Sequence, residues 1–122
     1  MKQLILVFLG GGAGSILRFI ITRLLNFSTG IPYGTLAVNI LGSLLIGLLF
    51  GLSLRQNLLS SNAMLLLATG FCGGFTTFSA FSYENLSMLK NGDFFQFLLY
   101  ATGSILAGIA AVYAGFLLSK LF

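Results

Sequence analysis

The chain has 122 residues, of which 57% are hydrophobic and 7% are charged, with six Lys or Arg residues against two Asp or Glu residues. Soluble domains carry about 25% charged residues, so the composition excludes a water-soluble enzyme, a disordered chain and a coiled coil. Uncharged runs longer than the roughly 20 residues with which a helix crosses a bilayer lie between Arg23 and Arg55, between Arg55 and Glu84, and between Asp93 and Lys120. The sequence therefore predicts an integral membrane protein.

Four predicted membrane-spanning helices fill one domain over residues 1–122. They cover about residues 4–25, 33–54, 62–88 and 95–119. The runs are apolar on all sides, whereas a transmembrane barrel needs alternating apolar and polar residues. Pro32 separates the first two helices, because proline disfavours a helical residue before it and suits the first turn of the next helix. The predicted fold is an all-α bundle.

The first predicted span begins like a secretory signal peptide, since Lys2 precedes an apolar run and residues 12–14 imitate a cleavage site. The apolar run continues beyond that point from Ile16 to Ile21, so we interpret the segment as a span. Its charged residue is Arg18. This arginine either raises the anion concentration at a pore mouth or extends to the membrane interface.

The charges at the ends of the predicted spans favour neither orientation in the membrane. Topology follows an excess of basic residues on one side. Here each side has three, namely Lys2, Arg55 and Lys120 on one side and Arg18, Arg23 and Lys90 on or toward the other. The second side has two if Arg18 counts as intramembrane, which is still too small a difference to fix the topology. We therefore hypothesise that the chain inserts both ways and forms an antiparallel homodimer with its two-fold axis in the membrane plane.

Glycine crowds the predicted spans, with 16 glycines in the chain. In lipid, small residues let helix backbones approach closely and gain packing contact. We therefore expect tight helix packing at most of these positions. Four short helices leave small-residue faces without an internal partner, which also predicts association with a second copy.

Polar residues within apolar spans are costly and indicate function. In the second span, Asn39 has Thr35 one turn before it and Ser43 one turn after it. The side-chain amide of asparagine has two N–H donors, which suits an anion. A hydrogen bond between two helices is the alternative role for Asn39.

In the third span, Gly73 and Gly74 precede two threonines, and paired glycines weaken a helix. Non-helical backbone at membrane depth occurs only where it is buried in protein or lines a cavity. Freed carbonyl oxygens there suit a small cation. Phe78 and Phe81 follow, three residues apart and so on one helix face. Their positively polarised ring edges could line an anion path, although such pairs often only fill a core.

Further along the chain, Glu84 is interpreted as a carboxylate at the end of the third span. In the fourth span, Tyr100, Ser104 and Gly108 recur every four residues and predict one hydroxyl-bearing stripe. Cys72 is the only cysteine and is interpreted as a small packing residue. The six basic residues are dispersed, so no nucleic-acid partner is expected.

Three motifs in order along the chain resemble the small bacterial fluoride channel family, often abbreviated Fluc. The first span carries glycine-rich residues 11–14 followed by Arg18, the second carries Gly-Thr-Leu-Ala-Val-Asn-Ile-Leu-Gly at 34–42, and the third carries Gly-Phe-Cys-Gly-Gly-Phe-Thr-Thr-Phe-Ser at 70–79. A lone Gly-Gly means little, but three ordered motifs on the expected spans are specific. The resemblance covers essentially the full length.

The resemblance implies an antiparallel, dual-topology homodimer with two fluoride pores in the cell's inner (plasma) membrane. It implies a third helix broken in mid-membrane and one structural Na⁺ per dimer, held by the backbone carbonyls of Gly73 and Thr76 of each subunit. The implied activity is passive export of fluoride from the cytoplasm, which reduces its toxicity, and not an enzymatic reaction. The residues implied for the fluoride pathway are Asn39, Phe78, Phe81, Tyr100, Ser104, Thr35 and Arg18.

Two other interpretations are weaker. A small multidrug-type cation exporter needs an ionisable group deep in a span, but the first span offers Arg18 and no carboxylate. Tryptophan, the best ring for an organic cation, is absent from the sequence. A purely structural membrane subunit leaves the polar residues of the third span, Asn39 and the hydroxyl stripe unexplained.

Overall fold

The structure is a computed structural model that describes residues 1–27, 30–55 and 58–122. Within these ranges all regular structure is helical, which confirms the predicted all-α class. Four helices are long and apolar enough to cross a membrane. They are Lys2–Leu25, Tyr33–Leu54, Ser61–Lys90 and Phe94–Leu121.

The first two of these helices are single elements, whereas the third is composite. Helices α1 (Lys2–Leu25) and α2 (Tyr33–Leu54) are continuous. The third hydrophobic helix consists of α3 (Ser61–Met64), a π-helical segment (Leu65–Cys72), α4 (Gly73–Phe75) and α5 (Phe78–Lys90). The fourth consists of α6 (Phe94–Leu118) and a final 3₁₀ turn (Ser119–Leu121). Gly92, at a φ of 79°, forms the turn between α5 and α6.

Close packing of α1 on the third hydrophobic helix depends on glycine. A Cβ atom added to Gly10 would overlap the backbone carbonyl oxygen of Leu66, and one added to Gly14 would overlap that of Phe71. These contacts fall on the π-helical segment, where the i→i+5 hydrogen bonds widen the helix. The predicted role of glycine in close backbone approach is confirmed here.

Helices α2 and α6 meet in the same way. A Cβ on Gly47 would overlap the carbonyl oxygen of Val112, and one on Gly115 would overlap that of Leu44. Each helix therefore places a glycine against the backbone of the other. This reciprocal arrangement fixes the distance between the second and fourth hydrophobic helices.

The small interior lies where the π-helical segment packs on α2. Leu49, Ala68 and Cys72 form its buried centre, with Cys72 only 3% exposed. The predicted packing role of Cys72 is confirmed. Large apolar side chains instead cover the outer faces of the helices, among them Phe8, Phe19, Phe50, Phe95 and Ile109. Such extensive apolar exposure is foreign to soluble monomers and is typical of a surface in contact with lipid.

The third hydrophobic helix is interrupted between α4 and α5. Thr76 has φ −87° and ψ 158°, and Thr77 has φ −149° and ψ 121°, so both are extended. Gly73 and Gly74 were expected to weaken the helix, but they are helical, and the extended residues are the threonines that follow them. The Thr77 hydroxyl accepts from Ala80 N–H at 3.2 Å and so caps α5.

Candidate functional site

Asn39 on α2 reaches the interruption in the third helix. Its Oδ1 accepts from Thr77 N–H at 2.8 Å, and its Nδ2 donates to the Thr77 carbonyl at 3.1 Å. Extended backbone inside a helix bundle needs such partners, because an unpaired buried amide or carbonyl costs several kcal/mol. The hydrogen bond between helices, one of the two roles considered for Asn39, is therefore present. It uses one of the two N–H donors of the side-chain amide.

The same pairing changes the bonding of Gly73. In an α-helix the Gly73 carbonyl accepts from the amide four residues on, which is Thr77 N–H, and this amide donates instead to Asn39. Thr76 donates both its backbone N–H, at 3.0 Å, and its hydroxyl, at 2.9 Å, to the Cys72 carbonyl. The Gly73 carbonyl is thus deprived of its regular helical donor at the start of the interruption.

Arg18 on α1 binds the third helix at Gly74 in α4, just before the interruption. Its Nε donates to the Gly74 carbonyl at 2.9 Å, and the Ser15 hydroxyl lies 3.4 Å from the same oxygen. The side chain is half-buried, so it lies against the protein rather than extending freely to the interface. Its predicted effect on local anion concentration stays a prediction.

The two phenylalanines after the interruption are neighbours, with ring centroids 5.9 Å apart. They differ in environment, since Phe78 is 79% exposed on this chain and Phe81 is half-buried. Phe81 also contacts the Tyr100 ring on α6, at a centroid distance of 5.3 Å. A line of aromatic rings therefore runs from the outer face of the chain inward to Tyr100.

A cavity of about 480 Å³ opens beside the interruption. It brings together six of the residues predicted from the sequence: Gly73, Thr76, Asn39, Phe78, Phe81 and Ser104. The Ser104 hydroxyl oxygen is buried and has no hydrogen-bond partner within the described ranges. It is thus a polar group available to a small ligand in this cavity.

Thr35 and Tyr100 lie deeper, where both hydroxyls donate to one carboxylate. Thr35 Oγ1 lies 2.5 Å from Glu84 Oε1, and Tyr100 OH lies 2.7 Å from Glu84 Oε2. Thr35 is 1% exposed and Tyr100 is 2% exposed. The predicted stripe is therefore divided, because Ser104 faces the cavity while the Tyr100 hydroxyl is directed at Glu84.

The interpretation of Glu84 as a carboxylate at a helix end is wrong. It lies in the middle of α5, which continues to Lys90. The signal that could have revealed its role was present, since a carboxylate within an apolar run is costly unless it has partners. Glu84 is one of only two acidic residues in the chain.

A second cavity, of about 450 Å³, lies on the other side of this carboxylate. Its polar lining includes Glu84, Ser87, Asn91, Asp93 and Gln96. Glu84 lines this second cavity, Phe81 lines the first, and Tyr100 contacts both residues. The Thr35–Glu84–Tyr100 cluster thus separates two cavities along the helix bundle.

These features define a small multi-pass membrane protein with a polar site built around an interrupted helix. Residues 5–116 match the family model described as "CrcB-like protein, Camphor Resistance (CrcB)". The protein named "Fluoride-specific ion channel FluC" of Chlorobium phaeobacteroides is 50% identical over 98% of this chain and 94% of its own length. The protein of the same name from Chlorobaculum tepidum is 48% identical over 100% of this chain and 98% of its own length. That from Phocaeicola vulgatus is 46% identical over 98% of this chain and 100% of its own length. The chain belongs to the CrcB/FluC family.

Proposed function

We propose that this protein is a fluoride-selective channel through which fluoride leaves the cytoplasm passively, down its electrochemical gradient, across the cell's inner membrane. The carrying observation is the cavity beside the interruption, where Asn39, Phe81 and Ser104 come together, in a chain that aligns over its full length with channels named for fluoride. Such export would reduce the toxicity of fluoride to the cell.

The chemistry of the cavity supports an anion of fluoride's size. Fluoride is small and strongly hydrated, so N–H and O–H donors must replace its water. Asn39 has one N–H donor beyond its bond to Thr77, and the buried Ser104 hydroxyl is unpartnered within the described residues. The ring edges of Phe78 and Phe81 carry partial positive charge and would exclude cations. Several moderate sites in sequence favour conduction over tight binding.

The hydroxyls of Thr35 and Tyr100 would continue this path toward the second cavity. Both donate to Glu84, so fluoride would compete with a carboxylate for the same two protons. Arg18, bound to the Gly74 carbonyl, would supply positive charge near the interruption. The path proposed here therefore connects the two cavities through the Thr35–Glu84–Tyr100 cluster.

An antiparallel homodimer is the proposed assembly. The balanced basic residues support insertion in both orientations. On the outer surface, Gly12, Gly73 and Gly103 have open space where a Cβ would be, and Phe78 is 79% exposed. Small residues on an outer face allow a second chain to approach closely, and the exposed Phe78 ring could then serve a pore shared with the partner.

A structural Na⁺ at the dimer centre is proposed on the same face. The backbone carbonyls of Gly73 and Thr76 from each subunit would hold it, and carbonyl oxygens are suitable ligands for a hard cation. The site fits this role because Gly73 is exposed on this chain and its carbonyl has lost its regular helical donor to Asn39. A bound cation would offset the negative ends of carbonyl dipoles at an interruption placed in mid-membrane.

Fluoride efflux from liposomes that contain the purified protein, followed with a fluoride electrode, tests the proposal. We expect rapid efflux of fluoride and far slower efflux of chloride under the same gradient. Equal rates for the two halides would contradict selectivity, and fluoride efflux no faster than from protein-free liposomes would contradict the proposed function as a whole.

A further inference from the structure

The N-terminus of α2 is capped by the residue that follows α1. The first N–H groups of a helix lack intrahelical acceptors, and the N-cap residue here is Pro32, which makes no side-chain cap. Asn26, directly after the end of α1, supplies the acceptor instead. Its Oδ1 accepts from Gly34 N–H at 2.7 Å and from Thr35 N–H at 3.3 Å.

The absence of a side chain at Gly34 permits this close approach. A Cβ at Gly34 would lie 2.7 Å from Asn26 Oδ1 and 2.7 Å from Thr22 Cα. The two backbone N–H groups also establish which end of the Asn26 amide carries the oxygen. The opposite end is therefore Nδ2, an obligatory donor, and it lies 3.3 Å from Thr35 Oγ1.

This donor determines the direction of the Thr35 proton. A hydroxyl has one proton and accepts through its oxygen lone pairs. Because Asn26 Nδ2 donates to Thr35 Oγ1, the threonine proton is directed away from Asn26 and onto Glu84 Oε1. Asn26, Thr35 and Glu84 thus form a chain of hydrogen bonds with a single polarity, which the Tyr100 hydroxyl completes at Glu84 Oε2.

We propose that Asn26 is a positioning residue of the ion pathway, which directs the Thr35 proton onto Glu84 and so holds this carboxylate beside Tyr100, between the two cavities. The inference rests on the proposed fluoride channel function and adds a residue that has no contact with the first cavity. If the Thr35 proton turned away, Glu84 would keep only the Tyr100 donor. Its negative charge would then be free to enter the path and repel fluoride.

The substitution Asn26→Asp separates this role from simple capping. The carboxylate retains oxygen acceptors for Gly34 and Thr35 N–H, and a negative charge at a helix N-terminus is favourable. It has no N–H donor, so the Thr35 proton would turn from Glu84 to residue 26. We expect an unchanged melting temperature and a fluoride efflux rate lower by about tenfold, the order given by one hydrogen bond to a charged group.

Two control variants accompany it. Asn62→Asp, the same substitution at an exposed position of α3, changes the net charge by the same amount without altering the balance of basic residues, and it should leave the efflux rate near that of the unaltered chain. Asn26→Ala loses both the acceptor and the donor, so it should lower the melting temperature as well as the rate.

Thr35→Val tests the same inference without altering Asn26. Valine matches the shape of threonine, and Asn26 Oδ1 still accepts from the backbone N–H of Gly34 and residue 35. We expect efflux to fall by about tenfold, with no additional loss when Asn26→Asp is combined with Thr35→Val, because the hydroxyl on which Asn26 acts is gone.

The outcomes separate the two proposals. Absence of fluoride efflux from the unaltered protein overturns the proposed function itself. When the unaltered protein conducts, a rate for Asn26→Asp equal to that of Asn62→Asp, or an unchanged rate for Thr35→Val, overturns the positioning role. A melting temperature for Asn26→Asp as low as that of Asn26→Ala also overturns it, since capping would then explain the loss.

Discussion

Asn39 and Thr77 exchange two hydrogen bonds, at 2.8 Å and 3.1 Å, across the gap between α2 and the interrupted third helix. The side-chain amide takes the place of the backbone partners that Thr77 would have in a continuous helix. The extended residue therefore remains satisfied away from water, where an unpaired N–H and C=O would be costly. The pair joins two helices and leaves one Asn39 N–H donor for the adjoining cavity.

We expect Asn39→Asp to impair both stability and conduction. The aspartate has no N–H to donate to the Thr77 carbonyl, so two oxygens would face each other, and a buried acceptor left unpaired costs about 1–3 kcal/mol. A fixed negative charge beside the cavity also repels fluoride. Efflux from liposomes should fall by at least about tenfold. Asn62→Asp, the same change at an exposed position of α3, serves as the control, and equal rates for the two variants would contradict the role of Asn39.

The four helices could be predicted because the bilayer itself imposes the signal. A span must be apolar for about 20 residues. The long uncharged runs bounded by Arg23, Arg55 and Lys120 reveal the spans without knowledge of any contact. Membership in the CrcB/FluC family could also be predicted from the sequence, because each of the three motifs is a short continuous segment. Both predictions are confirmed.

Contacts between residues distant in the sequence could not be predicted. Asn39 was recognised as a costly polar residue, but its partner Thr77 is 38 positions away, and no local pattern connects them. The interruption was expected at the weak helix formers Gly73 and Gly74. It falls on Thr76 and Thr77 because Asn39 and the threonine hydroxyls supply hydrogen bonds there, whereas a helical glycine costs only about 1 kcal/mol.

Glu84 illustrates the same limit. The sequence indicated a carboxylate at the end of the third span, but α5 continues to Lys90. Its two partners come from two other helices, with Thr35 on α2 and Tyr100 on α6. Glu84 is half-buried, and a carboxylate among apolar helices is tolerated only with such partners. These partners become apparent only when the helices are packed.

Replacing either aromatic ring with isoleucine should strongly reduce efflux, for different reasons. In Phe81→Ile the contact with the Tyr100 ring, at 5.3 Å, is lost, so we expect a modest drop in stability of about 0.5–1.5 kcal/mol as well. In Phe78→Ile the side chain is largely exposed on this chain, and stability should be unchanged.

Thermal unfolding and fluoride efflux measured together distinguish these cases. Phe95→Ile, at an exposed aromatic residue on α6, is the matched control and should conduct normally. Efflux at the unaltered rate from both single variants, Phe78→Ile and Phe81→Ile, would remove the proposed aromatic path.

A methyl group at Gly47 should destabilise the protein. Its Cβ would overlap the Val112 carbonyl oxygen, so α2 and α6 would have to separate, and overpacking of this kind costs typically about 1–3 kcal/mol. Gly108→Ala on α6 is the control, because that Cβ would make only an ordinary contact, 3.7 Å from Ser43 Oγ, and alanine favours the helix. Equal melting temperatures for Gly47→Ala and Gly108→Ala would show that glycine is not required at the α2–α6 crossing.

An epitope tag after Phe122 tests insertion in both orientations. With three basic residues toward each side, the positive-inside rule gives no preference, so about half of the tags should be accessible from each face of sealed membrane vesicles. Introducing an Arg55→Gln substitution leaves two basic residues on one side, and the distribution should shift measurably toward one face. Accessibility of every tag from the same face in the unaltered protein would contradict the antiparallel dimer.

Removal of Na⁺ should strongly slow conduction without unfolding the individual chains. The proposed ligands are backbone carbonyls of Gly73 and Thr76. Without the cation, the negative ends of these carbonyl dipoles would converge and repel one another.

Protein purified and reconstituted with N-methylglucamine in place of Na⁺ should therefore show much slower fluoride efflux, and restoring Na⁺ should recover the rate. N-methylglucamine is too large to enter a site shaped by four carbonyl oxygens, which makes it the suitable replacement. Helix content measured by circular dichroism in the same samples serves as the control, because the backbone hydrogen bonds within each chain's helices do not depend on the cation. Full efflux after exhaustive exchange would contradict the proposed structural Na⁺.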